Sequence, residues 1–497
     1  MAKQYILGVD QSTQGTKALL FNAEGDLICR ADLPHEQIIN EKGWVEHNPL
    51  EIYNNTIAVV KAVVDKAGID KNEIAGLGIS NQRETAVVWN RETGEPVYNA
   101  IVWQCARGEA ICQRIVREHA DTAKMVQAHT GLQLSPYFSA AKIAWVLEQV
   151  EGAKELAESN RICHGTVDSW LVYKLTGGSV YKTDYSNASR TQMYDVRHLQ
   201  WDEEVCGLFG IDTKNLAEVC DSDSLFGETD FDGYLEEKIP IHAVLGDSHG
   251  ALFGQGCLKP GMTKATYGTG SSVMMNIGEK PVFSSKGVVT SLAWGMGGKV
   301  NYVLEGNINY TGAVISWLQK DLKLISSAKE SQQLAESANP ADKTYLVPAF
   351  TGLGAPYWDS NATGIISGMT RTTGQAELVR AALDCIAYQI TDIVKVMGED
   401  AGVALEELRV DGGPTRNGYL MQFQSDMLGI PVQVPDAEEL SGIGAAYAAG
   451  LALHIYNKER VFERMSRRRF DKQMPDDLQQ QKYQGWKEAV QMVLTEK

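Results

Sequence analysis

The pattern of apolar and polar positions at the start of the chain predicts three short strands separated by polar turns. Apolar residues dominate positions 5–9 and 16–21, and a third run, LICRA, follows the turn sequence NAEGD at 22–26. Short β-rich runs separated by turn residues are typical of antiparallel hairpins. We therefore expect a β-meander whose first tip carries the polar stretch from Asp10 to Lys17.

A helix is predicted after this meander. Asn48 supplies an N-cap, Pro49 fits the first helical position, and Glu51 is placed to close a capping box. The amphipathic pattern that follows ends at Gly68, a residue type that commonly terminates helices. Beyond it, IAGLGIS and TAVVWN predict two strands around the polar insert Asn81-Gln82-Arg83-Glu84.

Two later segments combine strands with glycine-rich turns. The sequence KATYGTGSSVMMNIG at 264–278 places a Gly/Ser/Thr loop between two β-runs, in the same order as the N-terminal hairpin. Residues 408–435 predict a strand, a turn at Asp411-Gly412-Gly413, a helix ending at Gly429 and another strand. The alternation of strands and helices indicates the α/β class, and the two similar hairpins suggest a duplicated architecture.

Composition and charge argue against several classes of protein. The chain of 497 residues is long enough for two or more cores, and its formal net charge of −17 disfavours a nucleic-acid partner. The eight cysteines are scattered singly, and the apolar tracts are too short for a signal sequence or a bilayer span. We expect a cytoplasmic protein with no nucleic-acid and no membrane partner.

The sequence lacks the lysine-bearing phosphate loop GxxxxGK[ST], so a phosphate group would need another cradle. The loops from Asp10 to Lys17 and from Tyr267 to Ser272 are rich in hydroxyl and backbone N–H groups, which can hold phosphate oxygens. Taken alone, either loop is more simply explained as an ordinary turn. Both loops together with Gly412-Gly413 favour phosphate binding.

Other residues are suited to a hydroxylated acceptor. Asp247 follows the apolar run IPIHAVL and precedes a small-residue helix, where an acid serves either as a helix cap or as an exposed base. Arg83-Glu84 alone is compatible with a surface ion pair, and Trp103 and Tyr137 alone with core packing. Together they suit a polyol, because aromatic rings cover C–H groups while a charged pair bridges hydroxyl groups.

At these residues the chain resembles the FGGY family of carbohydrate kinases, and among its members most closely the glycerol kinases. The resemblance runs from Tyr5 to about His454 and includes ISNQRET, YNAIVWQC, TDYSNASRT, PAFTGLGAPYWD, LRVDGG and LMQFQSD. It implies a duplicated actin-like ATPase fold, in which two ribonuclease-H-like domains close over a central cleft. The expected domains are 1–255, for substrate and phosphate binding, and 256–497, for nucleotide binding.

The resemblance also implies roles for individual residues. Asp247 is expected to be the general base, and Asp10 and Asp247 are expected to bind Mg²⁺. The substrate-binding residues implied are Arg83, Glu84, Trp103, Tyr137, Asp247, Ser248 and Ser272. The ATP-binding residues implied are Thr13, Gln14, Lys17, Thr269, Gly270, Gly312, Gly413 and Asn417. Lys17 replaces an arginine usual in glycerol kinases, and family members are commonly homodimers or homotetramers, which we expect here.

The acceptor pocket departs from the family pattern. Glycerol kinases usually have a glutamine after the catalytic aspartate and Cys-Phe after YGTG, whereas this sequence has Ser248 and Ser271-Ser272. Small hydroxyl side chains enlarge the pocket and add hydrogen-bonding partners. We therefore expect a kinase for a four- or five-carbon substrate, such as a tetritol or a pentulose (xylulose or ribulose). The alternatives are glycerol, giving glycerol 3-phosphate, and a non-kinase actin-like ATPase.

Overall fold

A computed structural model describes residues 3–118 and 121–495, in which strands and helices alternate as the sequence predicts. The elements of the first half are β1 (Tyr5–Gln11), β2 (Gly15–Phe21), β3 (Leu27–Pro34), β4 (Ile38–Ile39), β5 (Val45–His47), α1 (Pro49–Ala67), β6 (Ile74–Asn81), β7 (Val87–Asn90), β8 (Ala100–Ile101), α2 (Glu109–Glu118), α3 (Thr122–Thr130), α4 (Ser139–Gln149), α5 (Ala153–Glu158), β9 (Ile162–Gly165), α6 (Val167–Leu175), β10 (Lys182–Asp184), α7 (Tyr185–Ala188), β11 (Tyr194–Asp195), β12 (Gln200–Trp201), α8 (Glu203–Leu208), β13 (Glu218–Cys220), β14 (Glu228–Thr229), β15 (Ile239–Gly246) and α9 (Asp247–Gly254). Those of the second half are β16 (Met262–Tyr267), β17 (Ser271–Gly278), β18 (Val289–Met296), β19 (Lys299–Ile308), α10 (Gly312–Lys320), α11 (Ala328–Ser337), β20 (Tyr345–Val347), β21 (Ile365–Ser367), α12 (Gln375–Ala401), β22 (Glu407–Asp411), α13 (Gly418–Leu428), β23 (Val432–Pro435), α14 (Leu440–Ala452), α15 (Lys458–Glu463), β24 (Arg467–Phe470) and α16 (Asp476–Gln491).

The first large sheet has the strand order β14-β15-β6-β1-β2-β3. Strands β1 to β3 pair antiparallel, which confirms the predicted meander, and β6 and β15 add to it in parallel. Parallel strands are joined by crossovers and are buried on both faces. Accordingly, β6 is buried along its whole length, and it contacts α14, α6 and α9.

Helix α1 forms where the sequence predicts it, but one detail of its cap is different. The Asn48 side chain accepts a hydrogen bond from the Leu50 N–H, and Gly68 ends the helix with φ 66°. The predicted capping box is wrong, because the Glu51 carboxylate instead accepts from the backbone N–H of Glu36 (3.3 Å). A contact with a neighbouring loop therefore replaces the local one.

The second large sheet repeats the plan of the first. Its order is β18-β19-β17-β16-β22-β23-β24, with β16, β17 and β19 antiparallel and β22 and β23 added in parallel. Gly412 makes the turn after β22 possible: its φ is 99°, and a Cβ there would lie 2.1 Å from the Tyr267 carbonyl oxygen. The predicted strand–turn–helix–strand unit at 408–435 is confirmed.

Two helices pack together between the large sheets. Helix α9 contacts β6 and β15 of the first sheet and β16 and β17 of the second, α14 contacts β1, β6 and β15, and the two helices pack against each other. Because α14 comes from the C-terminal half of the sequence but packs on the first sheet, contacts cross the predicted boundary between residues 255 and 256, which itself stays a prediction. Among the described helices, none has the length and apolar character needed to cross a membrane.

Candidate active site

A cleft of about 790 Å³ lies between the tip of the β1–β2 hairpin and the tip of the β16–β17 hairpin. The start of α9 and the polar insert after β6 also contribute to its walls. It brings together most residues that the sequence analysis selected: Asp10, Thr13, Lys17, Arg83, Glu84, Trp103, Tyr137, Asp247, Ser248, Thr269, Gly270 and Ser272.

Four of the expected ATP-binding residues do not line this cleft. Gln14 is exposed on the N-terminal hairpin, and the N–H of Gly312 donates to the Gly268 carbonyl oxygen (2.9 Å) beside the second loop. Gly413 begins a short 3₁₀ turn after β22. Asn417 caps α13 by accepting from the Leu420 N–H (3.0 Å). Their roles in ATP binding stay predictions.

Asp10 is a buried carboxylate at the end of β1, only 6% exposed, opposite Lys17 in the hairpin. Its Oδ1 is buried and has no hydrogen-bond partner among the described residues. Burial, together with the nearby Asp247 carboxylate, raises the pKa of Asp10 to about 7. Two cleft carboxylates that repel each other, one with an unpartnered oxygen, fit a hard divalent cation, whose preferred ligands are oxygen atoms.

Asp247 is the first residue of α9, directly after the buried strand β15. Its Oδ1 accepts from the Ser248 N–H (2.6 Å) and lies 3.2 Å from Arg83 Nε. The side chain is one-third exposed, at 33%, and faces the cleft. The carboxylate is therefore both oriented by the protein and accessible to a molecule in the cleft.

Behind Asp247 lies a buried ion cluster of Arg83, Arg190, Glu84 and Glu305. Arg83 donates from both terminal nitrogens to Glu305 (2.9 and 3.0 Å), and Arg190 Nε donates to Glu84 (2.5 Å). Arg190 Nη1 also lies 3.1 Å from Glu305. Burial alone would raise the pKa of Glu305, but the Arg190 and Arg83 guanidinium groups hold that pKa well below its usual range. The ion pair that the sequence places at Arg83-Glu84 is thus buried.

Glu84 has a strained backbone conformation. Its φ of 61° lies in the left-handed region, which is unfavourable by about 1–3 kcal/mol for a residue other than glycine. Ser139 Oγ donates to the Glu84 carbonyl oxygen (3.0 Å), and Arg190 fixes its carboxylate. The protein therefore holds Glu84 in one conformation beside the cleft.

Two aromatic side chains form a wall next to these charges. Trp103 and Tyr137 pack edge to face with ring centroids 5.6 Å apart. The Trp103 indole N–H donates to Thr13 Oγ1 (2.9 Å), which joins this wall to the N-terminal hairpin. Lys142 Nζ donates to the Tyr137 carbonyl oxygen (2.5 Å) from beneath. The predicted aromatic wall with its charged pair is therefore present in the cleft.

A polar row crosses three strands on the cleft side of the second sheet. Ser272 on β17 pairs with Thr266 on β16 and with Asn307 on β19, and all three line the cleft. Ser272 Oγ is buried without a hydrogen-bond partner in the described structure, and Ser248 Oγ likewise makes no hydrogen bond there. Hydroxyl groups without protein partners are available to a ligand.

Models of known protein families match almost the whole described chain. The N-terminal domain model of the FGGY family of carbohydrate kinases matches residues 5–254, and the C-terminal domain model matches residues 263–453. The chain belongs to the FGGY family of carbohydrate kinases. It is therefore an ATP-dependent kinase that acts on an alcohol group, as the sequence predicts, and the alternative of a non-kinase actin-like ATPase is not supported.

Individual relatives cover the full length of this FGGY kinase. A glycerol kinase from Caldanaerobacter subterraneus is 45% identical over 496 residues, 99% of both chains. One from Carboxydothermus hydrogenoformans is 46% identical over 492 residues, 99% of this chain and 98% of its own. The crystal structure of Plasmodium falciparum glycerol kinase with ADP superposes with a TM-score of 0.93 at 36% identity, over 100% of this chain and 99% of that one.

The similarity to a more distant protein is evidence for the fold only. Xylulose kinase from Rhodospirillum rubrum superposes with a TM-score of 0.86 at 19% identity, over 99% of both chains. Together with the repeated sheet plan, these similarities confirm the predicted fold of duplicated actin-like domains.

Three charged residues in or beside the cleft of this FGGY kinase were not predicted from the sequence. Glu305 lies within the apolar run of β19, Arg190 follows α7, and Lys264 lies on β16. Each is buried. A charged residue inside an otherwise buried segment is rare without a partner, and that signal could have identified Glu305 and Lys264.

Proposed function

We propose that this FGGY kinase transfers the γ-phosphate of ATP to a primary hydroxyl group of a small polyol, and that glycerol is its acceptor. The observation that carries the proposal is the shared cleft, in which Asp247 and the Arg83-Glu84 pair face the two hairpin loops. The choice of glycerol is supported by full-length relatives at 45 and 46% identity that are glycerol kinases. They favour it over the longer acceptor that the pocket serines suggest.

The acceptor would lie between the aromatic wall and the charged pair. Trp103 and Tyr137 would cover its C–H groups, while Arg83 and Glu84 would hydrogen bond to hydroxyl groups that do not react. Asp247 would accept a hydrogen bond from the reacting hydroxyl. These contacts would hold the acceptor in the orientation required for reaction, and such positioning contributes much of the rate enhancement in phosphoryl transfer.

The reaction would proceed with Asp247 as the general base. The acceptor oxygen forms a bond to the γ-phosphorus while the bond from that phosphorus to the β,γ-bridging oxygen breaks, and ADP leaves. The hydroxyl proton passes to the Asp247 carboxylate, a role that typically contributes about 10²–10⁴-fold to the rate. Closure of the cleft would exclude water, which would otherwise compete as an acceptor.

On the nucleotide side, Thr13, Lys17, Thr269 and Gly270 would bind the ATP phosphates. Gln14, Gly312, Gly413 and Asn417, which lie outside the cleft as described, would belong to the nucleotide side after closure. Asp10 and Asp247 would hold Mg²⁺, which when bound neutralises charge on the phosphates. Lys17 Nζ is paired with Glu439 (2.6 Å), so the ATP phosphates would compete with that carboxylate for Lys17.

A second candidate acceptor has support from the pocket itself. The unpartnered hydroxyl groups of Ser248 and Ser272 offer hydrogen bonds that glycerol is too short to use fully. A buried hydroxyl group without a partner costs about 1–3 kcal/mol, so a polyol or ketose of four or five carbons would gain from meeting them. The candidates are a tetritol, xylulose and ribulose.

Kinase assays with one acceptor at a time separate these possibilities. ADP release from ATP is measured with glycerol, erythritol, xylulose and ribulose at matched concentrations. The first proposal expects the largest kcat/KM with glycerol. If a longer acceptor gives a larger kcat/KM than glycerol, that acceptor is the substrate and the glycerol proposal is wrong. If none of the four compounds stimulates ADP release, both candidate functions are contradicted.

A further inference from the structure

Lys264 is a buried cation on the cleft side of the second sheet. It lies on β16 two residues before Thr266, so the two side chains are on the same face of the strand, and both line the cleft. Its side chain is only 1% exposed. The ammonium group therefore belongs to the floor of the cleft, below the polar row of Thr266, Ser272 and Asn307.

In the part of the chain that the structure describes, no anion is close enough to pair with this ammonium group. Within residues 3–118 and 121–495, Lys264 has no carboxylate oxygen within 4 Å and makes no side-chain hydrogen bond. The nearby carboxylates have other partners: Glu305 is bound by Arg83 and Arg190, and Asp247 lies against Arg83. Asp411 Oδ2 accepts from Gln255 Nε2 (3.3 Å).

Burial without a direct partner has a cost for a charged group. Burial lowers the pKa of Lys264, and the Arg83 guanidinium acts in the same direction, whereas Asp411, Glu305 and Asp247 act against it. An anion that enters the cleft would remove this cost. The anion that the proposed function brings to this position is the phosphoryl group, because Asp247 faces the cleft from one side and the Thr269-Gly270 loop from the other.

We propose that Lys264 is a further catalytic residue, whose ammonium group contacts the phosphoryl group during transfer and stabilises the charge on its oxygens. This inference rests on the proposed kinase function. In phosphoryl transfer the protein contributes mainly by positioning and by stabilising charge, so an unpaired buried cation in the cleft has a direct use. Lys264 differs in this respect from Lys17, whose ammonium group is already paired with Glu439.

The test compares Lys264→Met with the wild-type protein in two measurements. The first is kcat with the best acceptor. The second is the affinity for ADP with aluminium fluoride, a mimic of the phosphoryl group in transfer, relative to the affinity for ADP alone. We expect kcat to fall about 10²–10³-fold, as for loss of one charge-stabilising donor. ADP with aluminium fluoride should bind at least tenfold more weakly, while the Kd for ADP changes less than threefold.

A structural role for Lys264, as a counter-charge to Asp411, gives a different result. In that case Asp411→Asn would compensate, and Lys264→Met/Asp411→Asn would match Asp411→Asn alone within threefold in kcat and in aluminium fluoride binding. That match overturns the proposal. The double variant removes both charges together. If Lys264→Met alone does not fold, the effect of losing Lys264 is therefore read from the double variant compared with Asp411→Asn.

The outcome is separable from that of the proposed function. ADP release by the wild-type protein with each acceptor tests the function alone, whereas aluminium fluoride binding with ADP needs no acceptor. If Lys264→Met binds ADP with aluminium fluoride as the wild-type protein does and keeps kcat within tenfold, the catalytic role of Lys264 is wrong even though the kinase function stands.

Discussion

Arg83 Nε lies 3.2 Å from Asp247 Oδ1, and the same guanidinium group donates to Glu305 with both of its terminal nitrogens. Arg83 follows strand β6 of the first sheet, whereas Glu305 lies on β19 of the second. The proposed base is therefore oriented by a cation that both sheets hold. A shift of either sheet would be transmitted to Asp247 through Arg83.

Asp247→Asn is expected to abolish phosphoryl transfer and leave nucleotide binding nearly intact. An amide keeps the shape of the side chain but cannot accept the proton, and loss of a general base costs about 10²–10⁴-fold in kcat. The measurements are acceptor-dependent ADP release and ADP binding by calorimetry. Glu41→Gln is the control, because it removes an exposed carboxylate that does not line the cleft. Wild-type kcat in Asp247→Asn would exclude the proposed base.

Glu305→Gln is expected to destabilise the protein strongly. Glu305 is 1% exposed and bound by two arginines, and removal of one charge from a buried pair costs about 3–5 kcal/mol. Denaturant unfolding measures the effect. Glu399→Gln, which breaks the exposed pair with Lys286 (2.8 Å), should change stability little, because water screens such pairs. Equal effects of the two variants would contradict the importance of the buried ion cluster.

The sequence predicted the elements whose signals are local. The N-terminal meander, helix α1 and the strand–turn–helix–strand unit at 408–435 depend on turn residues, caps and periodicity within a few positions, and all three are present. Residues 83 and 305 are 222 positions apart, and no local pattern connects them. The failed capping box has a similar cause, since Glu51 bonds to a loop 15 positions away.

The candidate site was predicted in the same uneven way. Asp10, Asp247 and the acceptor residues were found because short motifs around them resemble the FGGY family. Lys264 and Glu305 were not found, although a charged residue inside a buried segment is itself a signal. That signal indicates only that a partner is needed; the position of both residues in or beside the cleft depends on contacts between distant parts of the chain.

The Asp10 carboxylate should make stability depend on pH when no metal is bound. Its pKa is about 7 in the folded protein and 3.8 ordinarily. Between these two values the carboxyl group ionises in the unfolded chain but not in the folded one, so the free energy of unfolding falls as the pH rises from about 4 to about 7. Asp10→Asn removes this penalty. In EDTA, the stability gained by the variant should therefore grow from pH 5 to pH 8, reaching about 4 kcal/mol for three pKa units. Thermal unfolding at both pH values, with Glu41→Gln as control, measures this difference in stability between Asp10→Asn and the wild-type protein. A stability difference that does not change with pH would contradict the raised pKa of Asp10.

The polar row beside the acceptor pocket predicts how substrate choice can be changed. Ser272 faces the cleft between Thr266 and Asn307, so a larger side chain at this position would take volume from the pocket rather than from the core. Ser272→Phe is expected to favour glycerol over erythritol in kcat/KM by about 10-fold or more relative to the wild-type ratio, because pocket size discriminates by about 1–3 kcal/mol.

Ser272→Ala is the matched control, since it removes the hydroxyl group without filling space. If volume decides the preference, the alanine variant keeps the wild-type ratio of glycerol to erythritol while the phenylalanine variant shifts it. If instead the unpartnered hydroxyl group of Ser272 binds the acceptor, the alanine variant loses activity mainly with erythritol, because only the longer molecule reaches that oxygen. Unchanged ratios in both variants would mean that Ser272 does not contact the acceptor, and the selectivity would then have to come from the Ser248 side of the cleft.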